Sequence, residues 1–455
     1  RYNRSKLTDG LRLEAEFYQP KYLFEVSPHC KWTNIGSILT FCQYGSSLPL
    51  NEEGKGYPIF RLNEINDCFL TKPQKWVVMS QREYQMLKLQ RDDVLFCRTN
   101  GNFELVGRTG ILKEDIDAVF ASYLVRVRTN PQYILPEFLT IYLNTTFGKL
   151  QIQRRAMRSN QVNVSASQLR AIPIPIFAHE FQEKVADFVN HAADKIVLSK
   201  HNYAQAEQLL LSELGLLDWK PQRTLTYVRS FNQVAKASRM DAEHFHPKYK
   251  ELRNIIRNYS GGYLRLIDIA VNSNETIEPR TNPEHNFKYI ELADIDQNIG
   301  VIENAKTIKG KNAPSRARML LRNGDVIASS VEGSLDKVAL VSEEYDGAIG
   351  STGFFVLRPR TVSSGYLLAL IKSMIVREQM HCESSGTILA AVPAKSLKNI
   401  IVPNIQQEIQ DAISSLVQQS LAAKREAKTL LEKAKRAVEI AIEYGEQQAM
   451  DFLCK

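Results

Sequence analysis

The stretch RLEAEFYQPKY (residues 12–22) returns as RMDAEHFHPKY (239–249), with six of eleven positions identical and three more exchanged for similar residues. It is the first of several matched pairs. FRLNEIND (60–67) answers IELADIDQ (290–297). RDDVLFCRTNGNFELVG (91–107) answers NGDVIASSVEGSLDKVA (323–339), which aligns Asp93 with Asp325, Val94 with Val326, Gly101 with Gly333 and Val106 with Val338. FASYLVRVR (120–128) answers IGSTGFFVLR (349–358), and LRAIPIPI (169–176) answers LKNIIVPN (397–404). The offset drifts only between 227 and 232, the behaviour of one frame copied in tandem with small loop insertions.

Each copy has the same internal order. Short β-branched runs punctuated by Gly, Asn and Pro come first, then a Pro-marked exit, then a long stretch free of Gly and Pro. In the second copy that stretch covers 406–444, where Ile409, Ile413, Leu416, Ser420, Ala423, Ala427, Leu430, Ala434, Ala437 and Ala441 follow an unbroken 4-3-4-3 spacing. In the first it covers 178–214, where Phe181, Val185, Phe188, Ala192, Ser199, Tyr203, Ala206 and Leu210 keep the same beat, with Lys195 as a weak position. Sustained over several heptads, this is a coiled-coil seam. The alternative is two amphipathic helices, each in the core of its own domain. A helix of ~37 residues is ~55 Å long, more than one such domain needs to cover it.

The expected fold is α+β with a pseudo-two-fold internal repeat. A first α/β domain (1–176) leads to a central helix (177–217), a second α/β domain (218–404) and a C-terminal helix (405–455). The two long helices are expected to pair antiparallel and to hold the domains at a fixed separation. Duplex DNA has a local dyad of its own, so a two-fold reader meets two separated half-sites.

At 455 residues the chain has room for about three average domains. Its 44% apolar and 24% charged residues are those of a soluble globular protein. No run approaches the ~18 apolar residues of a membrane span, and the start lacks a signal-peptide pattern. It does not begin with Met, which leaves room for an upstream piece. Cys30, Cys42, Cys68, Cys97, Cys382 and Cys454 show no CxxC spacing and read as isolated thiols of the reducing cytoplasm. A net charge of +8 and a pI near 9.0 suit a nucleic-acid partner without requiring one.

Working parts of an enzyme are not visible. TNPQY (129–133) resembles the Asn-Pro-Pro-Tyr motif of amino-group methyltransferases, but Gln132 replaces the second Pro, no Gly-rich cofactor loop lies upstream, and the second copy has RPRTV (358–362) there. It reads as a strand-to-helix turn. His244 and His246 in HFH face Phe17 and Gln19 in the first copy, so they form no shared metal site. There is no GxxxxGK[ST] loop and no GxSxG elbow. The paired carboxylates Glu14/Glu16 and Asp241/Glu243 belong to the repeated phrase and read as structural ion pairs. No catalytic residue and no metal ligand is assigned.

Candidate DNA contacts are better supported. RRAMRSNQVN (154–163) sets Arg154, Arg155 and Arg158 beside Ser159, Asn160, Gln161 and Asn163. Arg can bridge guanine O6 and N7, while Asn and Gln can bridge adenine N6 and N7. CRTNGNFELVGR (97–108) offers Arg98, Asn100, Asn102 and Arg108, and QYGSS (43–47) adds Gln43, Tyr44 and Ser46. In the second copy Lys306, Lys309, Lys311, Arg316 and Arg318 form a basic run suited to phosphates. SSVEGSLDK (329–337) supplies Ser330, Glu332, Ser334 and Lys337, and CESSGT (382–387) supplies Ser385 and Thr387. Arg98, Asn100 and Asn102 thus become Ser330, Glu332 and Ser334: one frame, two loop chemistries.

Over nearly its whole length the chain resembles the specificity (S) subunits of Type I restriction–modification systems. The resemblance rests on the two-copy order, on DDVLFCRTNGN and GDVIASSVEG, and on the exits SNQVNVSASQLRAIPIPI and SSGTILAAVPAKSLKNIIVPN. Each exit leads to a long helix through HEFQEKV or QQEIQDA, with Glu180–Gln182 and Glu408–Gln410 in place. The phrase SKLTDGLRLEAEFYQPKY and its copy are also similar to the recognition regions of Type IIG and IIB restriction enzymes.

The resemblance implies two target recognition domains, each reading half of a split site in double-stranded DNA. It implies helices that set the unread spacer and dock methyltransferase (M) subunits, with restriction (R) subunits joining to cleave. This chain would hold no cofactor; S-adenosylmethionine would be bound by the M subunits, which modify adenine N6 after flipping it out of the stack. A methyltransferase and a protein-only adaptor are the readings from other classes. The first lacks a cofactor loop, and the second does not account for the Arg/Asn/Gln loops.

Overall fold

The structure is a computed structural model that describes residues 15–22, 29–158, 162–221, 224–303, 305–386 and 390–454. Contacts divide the chain into two units, Arg1–Ile196 with Arg425–Lys455, and Val197–Lys424. The division falls inside the long helices, so each unit takes half of both.

In the first unit, β1 (Leu39–Tyr44), β2 (Val94–Cys97), β3 (Thr109–Ile111) and β4 (Leu124–Thr129) stand in the order β1-β4-β2-β3, extended by Phe69–Leu70 and Ile65–Asn66. All four residues of β2 are buried, which is why VLFC reads as a continuous apolar run and not an alternating one. Two short helices, α1 (Pro136–Asn144) and α2 (Thr146–Arg155), follow β4, and then comes the long α3 (His179–Glu213). The turn before α1 is TNPQY: Asn130 Oδ1 accepts from Gln132 N at 3.1 Å, and its carbonyl accepts from Tyr133 N and Ile134 N.

The second unit repeats the plan. β5 (Ala270–Asn272), β6 (Val326–Ser329), β7 (Val338–Leu340) and β8 (Phe354–Pro359) stand in the order β5-β8-β6-β7, followed by α4 (Ser364–Lys372) and α5 (Met374–Glu383). The chain closes with α6 (Gln407–Tyr444) and α7 (Glu446–Cys454). Each unit also has a small second sheet in which one pair of strands runs parallel, Tyr57–Phe60 with Val119–Phe120 and Asn286–Ile290 with Ile349–Ser351. Both copies build the same buried clamp. Asp93 receives Arg128 through Nε (2.5 Å) and Nη2 (3.0 Å), and Asp325 receives Arg358 through Nε (2.9 Å) and Nη2 (3.2 Å).

Within each unit the two helix halves run antiparallel. In the first, Ala178 N meets the Glu446 carboxylate at 3.1 Å and Lys195 pairs with Glu426 at 2.8 Å; in the second, Ser420 Oγ donates to the Ser199 carbonyl at 2.7 Å. The seam residues Ala427, Ala434, Ala437 and Ala441 are buried with Phe181, Val185 and Ala192. Leu431, Val438 and Ile442 beside them are buried too, in the same cluster as Phe138 and Ile141 of α1. The second unit does likewise with Ile413, Val417 and Leu421 against Tyr203, Ala206 and Leu210. The apolar stripe is therefore wider than a two-position seam, because each helix half faces both the other helix and its own domain.

In the second copy the repeated phrase does structural work. Arg239 grips Asp241 through two bonds (2.8 and 2.9 Å) and donates to the carbonyls of Cys382, Glu383 and Ser384 at the C-terminal end of α5, which lack helical partners. Tyr249 is buried and donates to Glu243; His246 caps the helix Pro247–Arg257; His244 Nδ1 lies 2.7 Å from the Cys382 carbonyl. In the first copy Arg154 of α2 donates to the Phe17 carbonyl at 3.2 Å and lies over the Phe17 ring. Arg12 and Glu14 lie outside the described residues. No helix among the described residues is long and apolar enough to cross a membrane.

Lys372, at the end of α4, donates to the Gln297 carbonyl and sits over the Tyr203 ring. Burial pulls its pKa down to about 8, against the opposing pull of Asp296, Glu207 and Asp336. The unfolded chain holds this proton more tightly, so between about pH 8 and the unfolded value of 10.5 the group adds stability as pH rises. Thermal unfolding of the native chain and of Lys372→Met at pH 7 and pH 9.5 is expected to show the gap moving in favour of the native chain by about 2 kcal/mol. A gap that does not move with pH would mean the ammonium is as well solvated as in water.

Candidate nucleic-acid interface

In the first unit the fold brings three separate segments together. Thr99–Asn100, Val162–Asn163 and Met157–Arg158 form a small antiparallel sheet, with Val162 opposite Asn100 and Met157 opposite Asn163. The Arg98 guanidinium lies 4.7 Å from the centre of the Tyr44 ring, and its Nη1 donates to the Ser122 carbonyl at 3.2 Å. Tyr44, 41% exposed, accepts from Ala166 N through its hydroxyl at 2.8 Å. QYGSS, CRTNGN and the end of RRAMRSNQVN thus meet at one place.

Other predicted contacts have structural work there. Asn100 Oδ1 accepts from Asn102 N, and Asn102 Oδ1 caps the following turn through Glu104 N. Ser46 is nearly buried, bonds by backbone to Phe120 and Ser122, and accepts from Leu48 N through Oγ. Gln43 is an acceptor for Arg126 at 2.5 Å, and Arg108 reaches the Ile65 carbonyl.

Arg155 corrects the expectation most directly. It is buried and donates to Gln151 one turn back on α2, and with Arg154 it occupies the last turn, where a cation complements the helix dipole. Arg158 lies on the short strand, but its side chain, with Ser159, Asn160 and Gln161, lies outside the described residues, as does Thr387.

The second unit assembles the matching segments. Ser330 Oγ donates to the Gly353 carbonyl at 3.0 Å, Glu332 N donates to the Ala390 carbonyl, and Ser385 exchanges two backbone bonds with Ala391. Glu332 is paired with His381, Ser334 Oγ is 3.0 Å from Ser329 Oγ, and Lys337 donates to the Ile295 carbonyl. The basic run does not form one patch. Strands Lys306–Lys309 and Ala317–Leu320 are opposite edges of a four-stranded sheet. Lys306 pairs with Glu291, Lys309 and Lys311 share Glu284, and Arg318 pairs with Glu278. Arg316 is exposed and is brought to the cluster by Thr352 N, which donates to its carbonyl.

Sequence reasoning missed the Ser122 carbonyl that holds Arg98 and the buried Arg126 that occupies Gln43. The carbonyl is backbone and leaves no residue signature, while the arginine reads as one more charge in LVRVR. Burial pushes the thiols of Cys68, Cys97 and Cys382 up to about 11, which leaves them inert at neutral pH.

The model of the Type I restriction modification DNA specificity domain matches residues 32–208. The Type I restriction enzyme EcoKI specificity subunit of Escherichia coli (strain K12) is 33% identical over 118 residues, 25% of this chain and 25% of the relative. The Type I restriction enzyme StySPI specificity subunit of Salmonella potsdam is 25% identical over 138 residues, 30% of this chain and 28% of the relative. The match therefore spans about a quarter of the curated relatives' length. A solved Type-I restriction-modification system S subunit from M. genitalium aligns over 92% of this chain and 97% of its own, at 14% identity and a TM-score of 0.41. Residues 32–208 hold the assembled loops of the first unit, and over them the chain is similar to the Type I restriction modification DNA specificity domain.

Proposed function

We propose that this chain is the non-catalytic DNA-recognition subunit of a restriction–modification complex, each unit reading one half of a bipartite site. The observation that carries the reading is the convergence of Tyr44, Arg98, Asn100 and the strands Met157–Arg158 and Val162–Asn163 in the unit that matches the specificity-domain model. Base-edge donors and acceptors gathered on a rigid frame are what direct readout requires. The same frame carries Ser330 and Glu332 in the second unit, so the two halves of the site would differ in sequence.

In this reading the paired α3 and α6 form an antiparallel coiled coil that sets the unread spacer and docks methyltransferase subunits, with restriction subunits joining them. S-adenosylmethionine belongs to the methyltransferase, and the complex works in the cytoplasm. Long-read sequencing of DNA from cells carrying the chain with a cognate methyltransferase subunit is expected to show N6-methyladenine in two short motifs at a fixed gap. A single contiguous motif, or methylation that does not depend on the chain, would overturn the bipartite reading.

A further inference from the structure

The side chains at positions 98 and 330 hang from the same backbone. Arg98 N donates to the Tyr123 carbonyl (3.0 Å) and its own carbonyl accepts from Val164 N (2.7 Å); Ser330 N donates to the Gly353 carbonyl (2.8 Å) and its own accepts from Val392 N (2.8 Å). Two residues on, Asn100 pairs with Val162, while Glu332 N donates to the Ala390 carbonyl. The same main-chain bonds hold the frame in both units, and each side chain adds one more bond to the neighbouring segment, Arg98 to the Ser122 carbonyl and Ser330 to the Gly353 carbonyl. Yet one copy carries Arg and the other Ser.

The neighbour differs too. Cys42 faces Val127 in the first sheet and Asn272 faces Leu357 in the second; two residues on in sequence the first copy has Tyr44, still in its strand, and the second has Asn274, past the end of its strand. The second unit thus has no Arg–Tyr pair at the corresponding sequence positions. Arg126, Arg128 and Arg358 all have carboxylate partners, whereas among the described residues no carboxylate pairs with Arg98. Among the described residues one of its five N–H groups is committed, to the Ser122 carbonyl, and Nε is buried, which leaves the terminal fork to meet a ligand. The Tyr44 ring fixes the plane of the guanidinium, and the Ala166 bond fixes the ring.

We propose that Arg98 reads a guanine in the half-site of the first unit, its terminal fork donating to O6 and N7, with Tyr44 as the positioning residue. Guanine is the base whose major-groove edge presents two adjacent acceptors, the pattern a planar fork matches. A phosphate can also accept a planar fork, but that contact would carry no sequence information and gives no reason for the two copies of one frame to differ at this position. The proposal rests on the DNA-recognition reading and adds the base class and the residue.

The test uses the full chain in complex with its methyltransferase subunits and duplexes carrying the mapped site, each guanine of the first half-site replaced in turn by 7-deazaguanine, which lacks only the N7 acceptor. One position is expected to weaken binding by the native complex about tenfold and to have no effect on Arg98→Ser. The second unit folds with Ser at this position, so that variant is expected to fold. Tyr44→Leu should shrink the effect at the same guanine and at no other.

Equal 7-deazaguanine costs in the native and Arg98→Ser complexes would overturn the proposal, as would a half-site without guanine. So would an Arg98→Ser loss that is uniform over all duplexes, the mark of a phosphate contact. A native complex that binds no DNA would instead overturn the recognition reading on which the proposal rests.

Discussion

Replacing Asp93 by Ala is expected to destabilise the first unit by about 3–5 kcal/mol, the cost of leaving buried cations without their counter-charge. Asp93 is 1% exposed and accepts from Arg128 through both oxygens, and Gln90 N donates to it at 2.8 Å. The Arg126 guanidinium, 2% exposed as a residue, lies 3.7 Å away. Burial pulls the Arg126 pKa down to about 10, and Asp93 is the charge that opposes that pull. Without it, Arg126 keeps among the described residues the carbonyls of Lys88 and Met86, the Gln43 amide oxygen and the rings of Phe41 and Phe120, none of them a counter-charge.

The matching change, Asp325→Ala, is expected to cost less, about 1–3 kcal/mol, because Arg358 is more exposed and keeps Glu275 at 2.7 Å. Urea unfolding with hydrogen exchange resolved on β2, β4, β6 and β8 separates the two units. Asp93→Ala at native stability would show that the clamp contributes nothing net.

That clamp was half legible in the sequence. The duplication aligns Asp93 with Asp325 and Arg128 with Arg358, and a matched acid and base in two buried strands have few uses besides each other. Arg126 was not legible, because its counterpart is Val356 and nothing in LVRVR separates a core cation from an exposed one. The long helices announced themselves through spacing, but the burial of Leu431, Val438 and Ile442 did not follow from it. Those positions face the helix's own domain, a partner that periodicity along one chain cannot name.

The site shows the same division. The polar residue types of the loops are legible in the sequence, and by type alone Arg154, Arg155, Lys309 and Lys311 read the same as Arg98. Composition cannot distinguish an unpaired cation from one already engaged with Phe17, Gln151 or Glu284. What separated Arg98 from the rest was the comparison of two copies of one frame.

Removing one heptad from both long helices together, residues 196–202 and 417–423, is expected to move the spacer of the methylated site or to abolish methylation. Ser199 and Ser420 face each other, so these two segments are matched in the antiparallel pair, and their loss preserves the seven-residue beat on either side. Seven residues of helix rise about 10.5 Å, close to three base pairs at about 3.4 Å each. If the helices set the spacer, the mapped gap should change by about three base pairs while both half-site motifs stay as they were. The same deletion in one helix alone would throw the seam out of register and bring Ser199 and Ser420 against the wrong neighbours, so it should cost folding and not merely change the gap. Both half-sites kept at an unchanged gap after the matched deletion would sink the ruler. In that case the spacing would have to come from the partner subunits, with α3 and α6 serving only to complete the core of each unit.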